Sequence, residues 1–376
     1  MIKRLIKNQL LKDLETKIVL LSGPRQSGKT TLSHDLFPSG RYQYLNFDTT
    51  EDRNIILKKA WDRSRDLVVF DELHKLPNWK SWIKGVYDKE GVRPRLLVTG
   101  SARLDLFKKA GDSLAGRHHF LRVGPFQYEE VADFSTSDDV FARFLNQGGF
   151  PEPFLMNDSI QVARWRKSHL DRILRDDLLS LQEVKNITQL EILVDLLADR
   201  VGSTLSYSSL AKVLEVAPKS VQRWVEVLEK FFIVFVVKPY SNKIDKSILK
   251  EPKIYFYDTG RVKNDESARF ENSVALQMLL RLQFLEDTQG ENNQLCYLKN
   301  KHQKEVDFLT VRNRKPEWMI ETKVADQSLS SNLFLFKEQL PKNVQAYQLI
   351  NRFCAQQNQR GIELMCAPDF FKKQSF

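Results

Sequence analysis

The chain has 376 residues, 42% hydrophobic and 28% charged, with a formal net charge of +10 and an isoelectric point of about 9.3. That length exceeds one ordinary core and calls for two or more domains. The charge balance favours an anionic partner, nucleic acid first. The three cysteines, none spaced as C-x-x-C, and the scattered histidines argue against a structural zinc site or a disulfide framework. No stretch approaches the ~18 apolar residues of a membrane span. The N-terminus mixes lysines with leucines and lacks the unbroken apolar run of a secretory signal, so a cytoplasmic protein without membrane contact is expected.

The first 150 residues alternate apolar runs with amphipathic stretches, the pattern of an α/β domain with a parallel sheet. Strands are expected at Lys17–Ser22, Tyr42–Phe47, Leu67–Phe70 and Leu96–Thr99. Directly after the first comes GPRQSGKTT, in which Gly23, Gly28, Lys29 and Thr30 fit the phosphate-binding loop G-x-x-x-x-G-K-[ST]. Glycines let the backbone close around phosphates, and a helix start adds positive potential. The nucleotide-binding set is therefore Gly23, Arg25, Gln26, Ser27, Gly28, Lys29, Thr30 and Thr31. Lys29 would reach the β- and γ-phosphates and the Thr30 hydroxyl would ligate Mg²⁺.

The run DLVVFDELHK then puts Asp71 and Glu72 at the end of a central strand. Asp71 can hold Mg²⁺ through water, and Glu72 can orient the attacking water, which argues for hydrolysis as well as binding. Thr99 and Ser101, ending RLLVTGSA, are placed to sense the γ-phosphate. Arg117 and Arg25 are candidates for transition-state charge, in cis or from a neighbouring subunit. GGFPEP at Gly148–Pro153 punctuates the end of this part.

GPRQSGKTTL, YLNFD, VVFDELHKLPNW, LLVTGSA, LAGR with PFQYEE, GGFPE and YFYDTG, in that order, resemble prokaryotic AAA-type (AAA+) ATPases. The relevant group carries a winged helix and a C-terminal restriction-endonuclease-like domain of unknown function. The resemblance runs across essentially the whole chain. It implies an ATP-binding domain and marks Arg117, the arginine of LAGR, as a shared feature; it implies no particular substrate.

A helical connector is expected over 151–205 and a winged helix-turn-helix over 206–258. In the latter, Leu210, Val213 and Leu214 form one apolar face, and Val221, Trp224, Val225 and Leu228 a second. Lys219, Gln222, Arg223 and Lys230 lie off that second face and could meet a duplex, although Glu226 and Glu229 would oppose it. The lysines of SNKIDKSILKEPK read as a solvated loop.

The remainder, 259–376, returns to α/β, with a helix near Phe270–Phe284 and strands at Gln294–Leu298, Val306–Val311 and Trp318–Lys323. KEVDFLTV and IETK place Asp307 on one strand and Glu321 with Lys323 on one face of the next, while Glu271 lies on the helix. Two carboxylates and a lysine can bind Mg²⁺ and activate water. This set resembles the PD-(D/E)xK nuclease core, with Val in place of the usual Pro.

The expected protein is thus an ATP- and Mg²⁺-dependent AAA+-type ATPase whose nucleotide state governs contact with double-stranded DNA, a protein partner or another copy. A Mg²⁺-dependent DNA nuclease regulated by ATP, and a non-hydrolysing nucleotide switch that binds a protein, are the alternatives.

Overall fold

The computed structural model describes residues 2–100, 114–134, 140–178, 186–241, 251–263, 265–325, 328–351 and 356–373. They form two compact units, Met1–Pro125 and Phe126–Phe376.

The first unit runs α1 (Lys7–Leu14), β1 (Ile18–Ser22), α2 (Lys29–His34), β2 (Tyr42–Asn46), α3 (Thr50–Lys58), β3 (Leu67–Asp71), α4 (Trp79–Glu90), β4 (Arg95–Thr99) and β5 (His118–Arg122). The strands make one parallel sheet in the order β2-β3-β4-β1-β5. β1 is IVLLS and buried at every position, as a central parallel strand covered on both faces must be. On one face Ile18, Leu20, Val68, Phe70, Leu96 and Val98 pack with Trp61, Trp79, Ile83 and Val86. Each such aliphatic side chain contributes roughly 1.5–3 kcal/mol by leaving water. A parallel sheet brings the carboxyl ends of its strands to one edge, the usual place for a ligand. Ser22, Asp71 and Thr99 all end strands there.

The second unit begins with short helices: α5 (Tyr128–Val131), α6 (Val140–Gln147), α7 (Pro151–Leu155), α8 (Ser159–Arg172) and α9 (Ile187–Ala198). The helix pair α10 (Tyr207–Leu214) and α11 (Pro218–Lys230) leads into β6 (Val234–Pro239) and β7 (Lys253–Phe256). After α12 (Glu266–Gln289) come β8 (Asn293–Lys299), β9 (Glu305–Arg312), β10 (Lys315–Lys323), α13 (Ser331–Lys337), β11 (Gln345–Ile350), β12 (Gln357–Gln359), β13 (Ile362–Cys366) and α14 (Ala367–Lys373). All eight strands form one mixed sheet, ordered β12-β13-β11-β10-β9-β8-β6-β7.

Helix α12 packs along β7, β8, β9 and β10. It starts where the Asp265 carboxylate accepts from the Ser267 and Ala268 amides and stops at Gly290, whose φ of 70° suits a left-handed cap. Buried Asn272 clamps β7 to this helix: its Oδ1 accepts from Phe256 N at 2.7 Å and its Nδ2 donates to Phe256 O at 2.9 Å.

The boundaries differ from the four expected parts. The first unit ends at Pro125 rather than near 150, because Phe126 N donates to Gly149 O at 2.6 Å and Tyr128 N to Gln277 Oε1 at 2.8 Å. Aromatic rings drive this attachment: Tyr128 stacks edge-on against Phe141, and Phe141 against Phe270. The GGFPEP turn is a helix start inside the second unit, and Gly148 there (φ 79°) lies against the Asp258 carboxylate, leaving no room for a Cβ. Asp258 is also the partner of Arg166 at 2.7 Å, so the GGF and YDTG stretches meet. Nor are 206–258 and 259–376 separate sheets, since β6 pairs with β8.

Within α10 the apolar stripe is Leu210, Ala211 and Leu214, whereas Val213 is 57% exposed. At 100° per residue Val213 falls well off a stripe centred between Ala211 and Leu214. Val221, Trp224, Val225 and Leu228 are buried, together with Val227.

Candidate nucleotide site and a second charged cluster

The loop between β1 and α2 is shaped by close backbone approach. A Cβ on Gly23 would lie 2.1 Å from Val123 O, and Gly28 (φ 91°) turns the chain into α2. Gln26 also has positive φ, 61°. Lys29 folds its ammonium back onto the loop, donating to Gly23 O at 3.0 Å and Pro24 O at 2.6 Å. Burial lowers its pKa to about 8, against the opposing charges of Glu72 and Asp71. Ser27 is buried and its hydroxyl has no hydrogen-bond partner, while Thr30 and Thr31 are exposed. Arg25 is near enough for its charge to act on both Lys29 and Glu72.

Across the strand ends, Asp71 accepts from the hydroxyls of Thr99 and Tyr44. Thr30 lies within hydrogen-bonding reach of the same Tyr44 hydroxyl. Thr30 and Asp71 both offer hard oxygens beside this hydroxyl, the donor type that Mg²⁺ takes when it keeps several of its waters. Burial, and then the charge of Asp71, keeps the Tyr44 phenol protonated. Glu72 adopts a left-handed backbone (φ 55°), a conformation costing a non-glycine residue about 1 kcal/mol or more. Its carboxylate is 3.3 Å from Lys75 and 3.5 Å from His74, and burial raises its pKa.

Thr99 thus touches Asp71, and Ser101, the other expected sensor, lies outside the described residues. Arg117 is not at this edge. Its carbonyl accepts from Ile18 N, at the amino end of β1, and its guanidinium pairs with Asp88 on α4 at 2.6 Å. The phosphate loop follows the other end of β1, about 13 Å away at ~3.3 Å per residue. An Arg117 role on the nucleotide of its own chain is therefore corrected by the geometry. Tyr44 was not singled out from the sequence, because its contact with Asp71 depends on β2 pairing with β3.

In the second unit the structure brings Glu271, Asp307, Glu321 and Lys323 into one cluster, joined by three residues the sequence did not mark: Lys253, Tyr255 and Glu305. Glu271 accepts from Tyr255 Oη at 2.7 Å and Lys253 Nζ at 3.3 Å. Lys253 Nζ is 2.6 Å from Glu305 and 3.9 Å from Asp307. Asp307 Oδ2 accepts from the amide and hydroxyl of Thr322 at 2.8 and 2.7 Å. Glu321 is 3.0 Å from Lys323 through Oε1, while Oε2 is buried without a hydrogen-bond partner. Burial, and then the charge of Asp307, pushes Glu271 and Glu321 up to about 7. Among the described residues, no three His, Cys, Asp or Glu side chains are arranged to hold a metal ion.

Lys253, the last lysine of SNKIDKSILKEPK, is only 2% exposed, contrary to the solvated loop expected. Lys219, Gln222, Arg223, Glu226 and Lys230 line a surface hollow of about 370 Å³ on α11. No helix among the described residues is long and apolar enough to cross a membrane.

Residues 15–132 match a family model described as an AAA domain, and residues 138–264 match one described as a domain of unknown function. An uncharacterized protein of Mycobacterium tuberculosis is 29% identical over 245 residues, 65% of this chain and 54% of that protein. The chain thus spans about half the length of the mycobacterial relatives it matches. An uncharacterized protein of Methanocaldococcus jannaschii is 24% identical over 335 residues, 81% of this chain and 74% of that protein. Among solved structures, a Walker-type ATPase of Pyrococcus abyssi aligns with a TM-score of 0.41 at 14% identity, over 70% of this chain and 95% of that one. RuvB of Thermotoga maritima aligns with a TM-score of 0.33 at 16% identity, over 61% of this chain and 88% of that one. The AAA-domain match over residues 15–132 agrees with the parallel sheet and its loop in the first unit, a P-loop nucleotide-binding arrangement.

Proposed function

We propose that the first unit binds ATP with Mg²⁺ and hydrolyses it, and that the nucleotide state governs contacts made by the second unit in the cytoplasm. The observation that carries this reading is the hydrogen-bonded chain Tyr44–Asp71–Thr99 beside Lys29, Thr30 and Glu72. Lys29 would leave the loop carbonyls for the β- and γ-phosphates, and the backbone of Gly23 to Thr31 would close around them. Mg²⁺, held by Thr30 and Asp71, would supply charge neutralisation on the phosphate oxygens. Glu72, made more basic by burial, would orient a water and accept its proton. Thr99 fixes the Asp71 carboxylate in place.

For the second unit, α10, α11, β6 and β7 follow each other as in a winged helix, with Lys219, Gln222, Arg223 and Lys230 along one side of α11. The long helix α12 against β8, β9 and β10 supports a PD-(D/E)xK-nuclease-like fold. Duplex DNA is the first partner to test, since such a basic face acts through phosphate contacts.

The experiment is ATP turnover by wild type, Lys29→Ala and Glu72→Gln, each with and without duplex DNA. Turnover lost in both variants, with ATP binding kept by Glu72→Gln, is expected, and DNA should raise the wild-type rate. Wild-type turnover in Lys29→Ala would sink the assignment. Tight ATP binding with negligible wild-type turnover would favour the protein-binding switch, a reading supported by the distance of Arg117 from the loop of its own chain.

A further inference from the structure

We propose that Lys253 is the permanent cation of the carboxylate cluster in the second unit, serving there in place of a divalent metal. The unit would then be a metal-free, non-cleaving version of the nuclease-like fold. The inference rests on the nuclease-like reading of the second unit.

The argument starts from what four carboxylates need. Glu271 comes from α12, Glu305 and Asp307 from one face of β9, and Glu321 from β10. Unpaired, such a group would repel itself strongly in a buried place, so a cation must join it or protons must. In a metal-dependent site that cation arrives from solution. Here it arrives on the chain: Lys253 Nζ lies 2.6 Å from Glu305, 3.3 Å from Glu271 and 3.9 Å from Asp307. The aromatic ring of Tyr297 covers it at 5.6 Å. Lys253 itself is only 2% exposed. Lys299, 3.5 Å from Glu305, and Lys323, 3.0 Å from Glu321, add two further positive charges.

Mg²⁺ is a poor fit to what remains. It requires oxygens at about 2.0–2.1 Å in near-octahedral array. One oxygen of Asp307 is committed to the Thr322 amide and hydroxyl, and one oxygen of Glu321 faces Lys323. A dication close to the Lys253 ammonium would also be repelled by it. Glu321 Oε2 is buried without a hydrogen-bond partner, yet among the described residues no three acidic side chains converge as a metal ion would need. The ligand geometry that the carboxylates could offer is therefore closed by the lysine, and the chemistry that metal-activated water would perform is closed with it.

The test is Mn²⁺ binding, read by electron paramagnetic resonance on the full nucleotide-free chain, for wild type, Asp307→Asn, Lys253→Met and Lys253→Met/Asp307→Asn. Wild type and Asp307→Asn should bind Mn²⁺ alike. Lys253→Met should gain a Mn²⁺ site, weakened at least roughly tenfold by adding Asp307→Asn, the loss that follows even removal of an outer partner of a metal ligand. A wild-type Mn²⁺ site lost in Asp307→Asn, or Mg²⁺-dependent plasmid nicking lost in the same variant, overturns the proposal while leaving the nuclease-like reading intact. Should Lys253→Met fold by circular dichroism yet gain no site, both the proposal and that reading fall. If Lys253→Met does not fold, the comparison of wild type with Asp307→Asn, repeated with Glu321→Gln, still decides.

Discussion

Lys29 is the residue on which nucleotide affinity should turn with pH. Its amine is lowered to about 8 by burial, so in the free protein it loses its proton as pH rises through that value. Phosphate binding favours the charged amine, and complex formation above that pH must therefore take up a proton. ATP affinity should be flat below about pH 8 and fall above it, approaching tenfold per pH unit. Calorimetry in two buffers of different ionisation enthalpy would show the uptake; identical apparent enthalpies above the transition would contradict it. The phosphate-loop residues could be read from the sequence because their chemistry is local: spacing alone supplies the loop. Tyr44 and Lys253 could not, since each acquires its role from a strand pairing or packing contact remote in the chain. A lysine in a lysine-rich stretch looks solvated until the fold buries it.

The elements carry a different lesson. The four strands expected in the first unit are present, with Asp71 inside its strand rather than after it. Apolar runs of this kind report burial directly. Sheet order is not written locally, and the fifth strand, HHFLR, has too little apolar character to stand out. In the second unit, helix α12 holds β7 through Asn272, whose side chain satisfies both backbone groups of Phe256. Asn272→Leu keeps the branched outline at a somewhat larger volume and strands two buried polar groups, each costing about 1–3 kcal/mol. The melting temperature should fall by several degrees, and differential scanning calorimetry measures it. An unchanged melting temperature would mean that water satisfies those groups.

For the whole molecule, the position of Arg117 matters most. Being at the far end of β1 from the phosphate loop, it can reach a nucleotide only on a second copy. If it supplies transition-state charge that way, specific turnover should rise with protein concentration. Arg117→Ala should flatten that rise and leave ATP binding unchanged, as steady-state rates over a dilution series would show. Concentration-independent turnover in wild type would assign Arg117 only to its ion pair with Asp88.

The pairing of β6 with β8 has a consequence for how such a chain can be divided. A helix pair and a following α/β body that look like interchangeable modules in sequence are, in this molecule, one continuous weave. A joint near 258 would tear backbone hydrogen bonds along a shared edge and leave sticky strands on both pieces. Amides of α10 and α11 and of β8 to β10 should accordingly exchange with deuterium as one cooperative block under mild denaturant. Loss of protection in the helix pair well before the strands would show that the weave parts there. A cut that respects the packing falls at Pro125, between the two compact units, and keeps the helix pair and the tail on one piece.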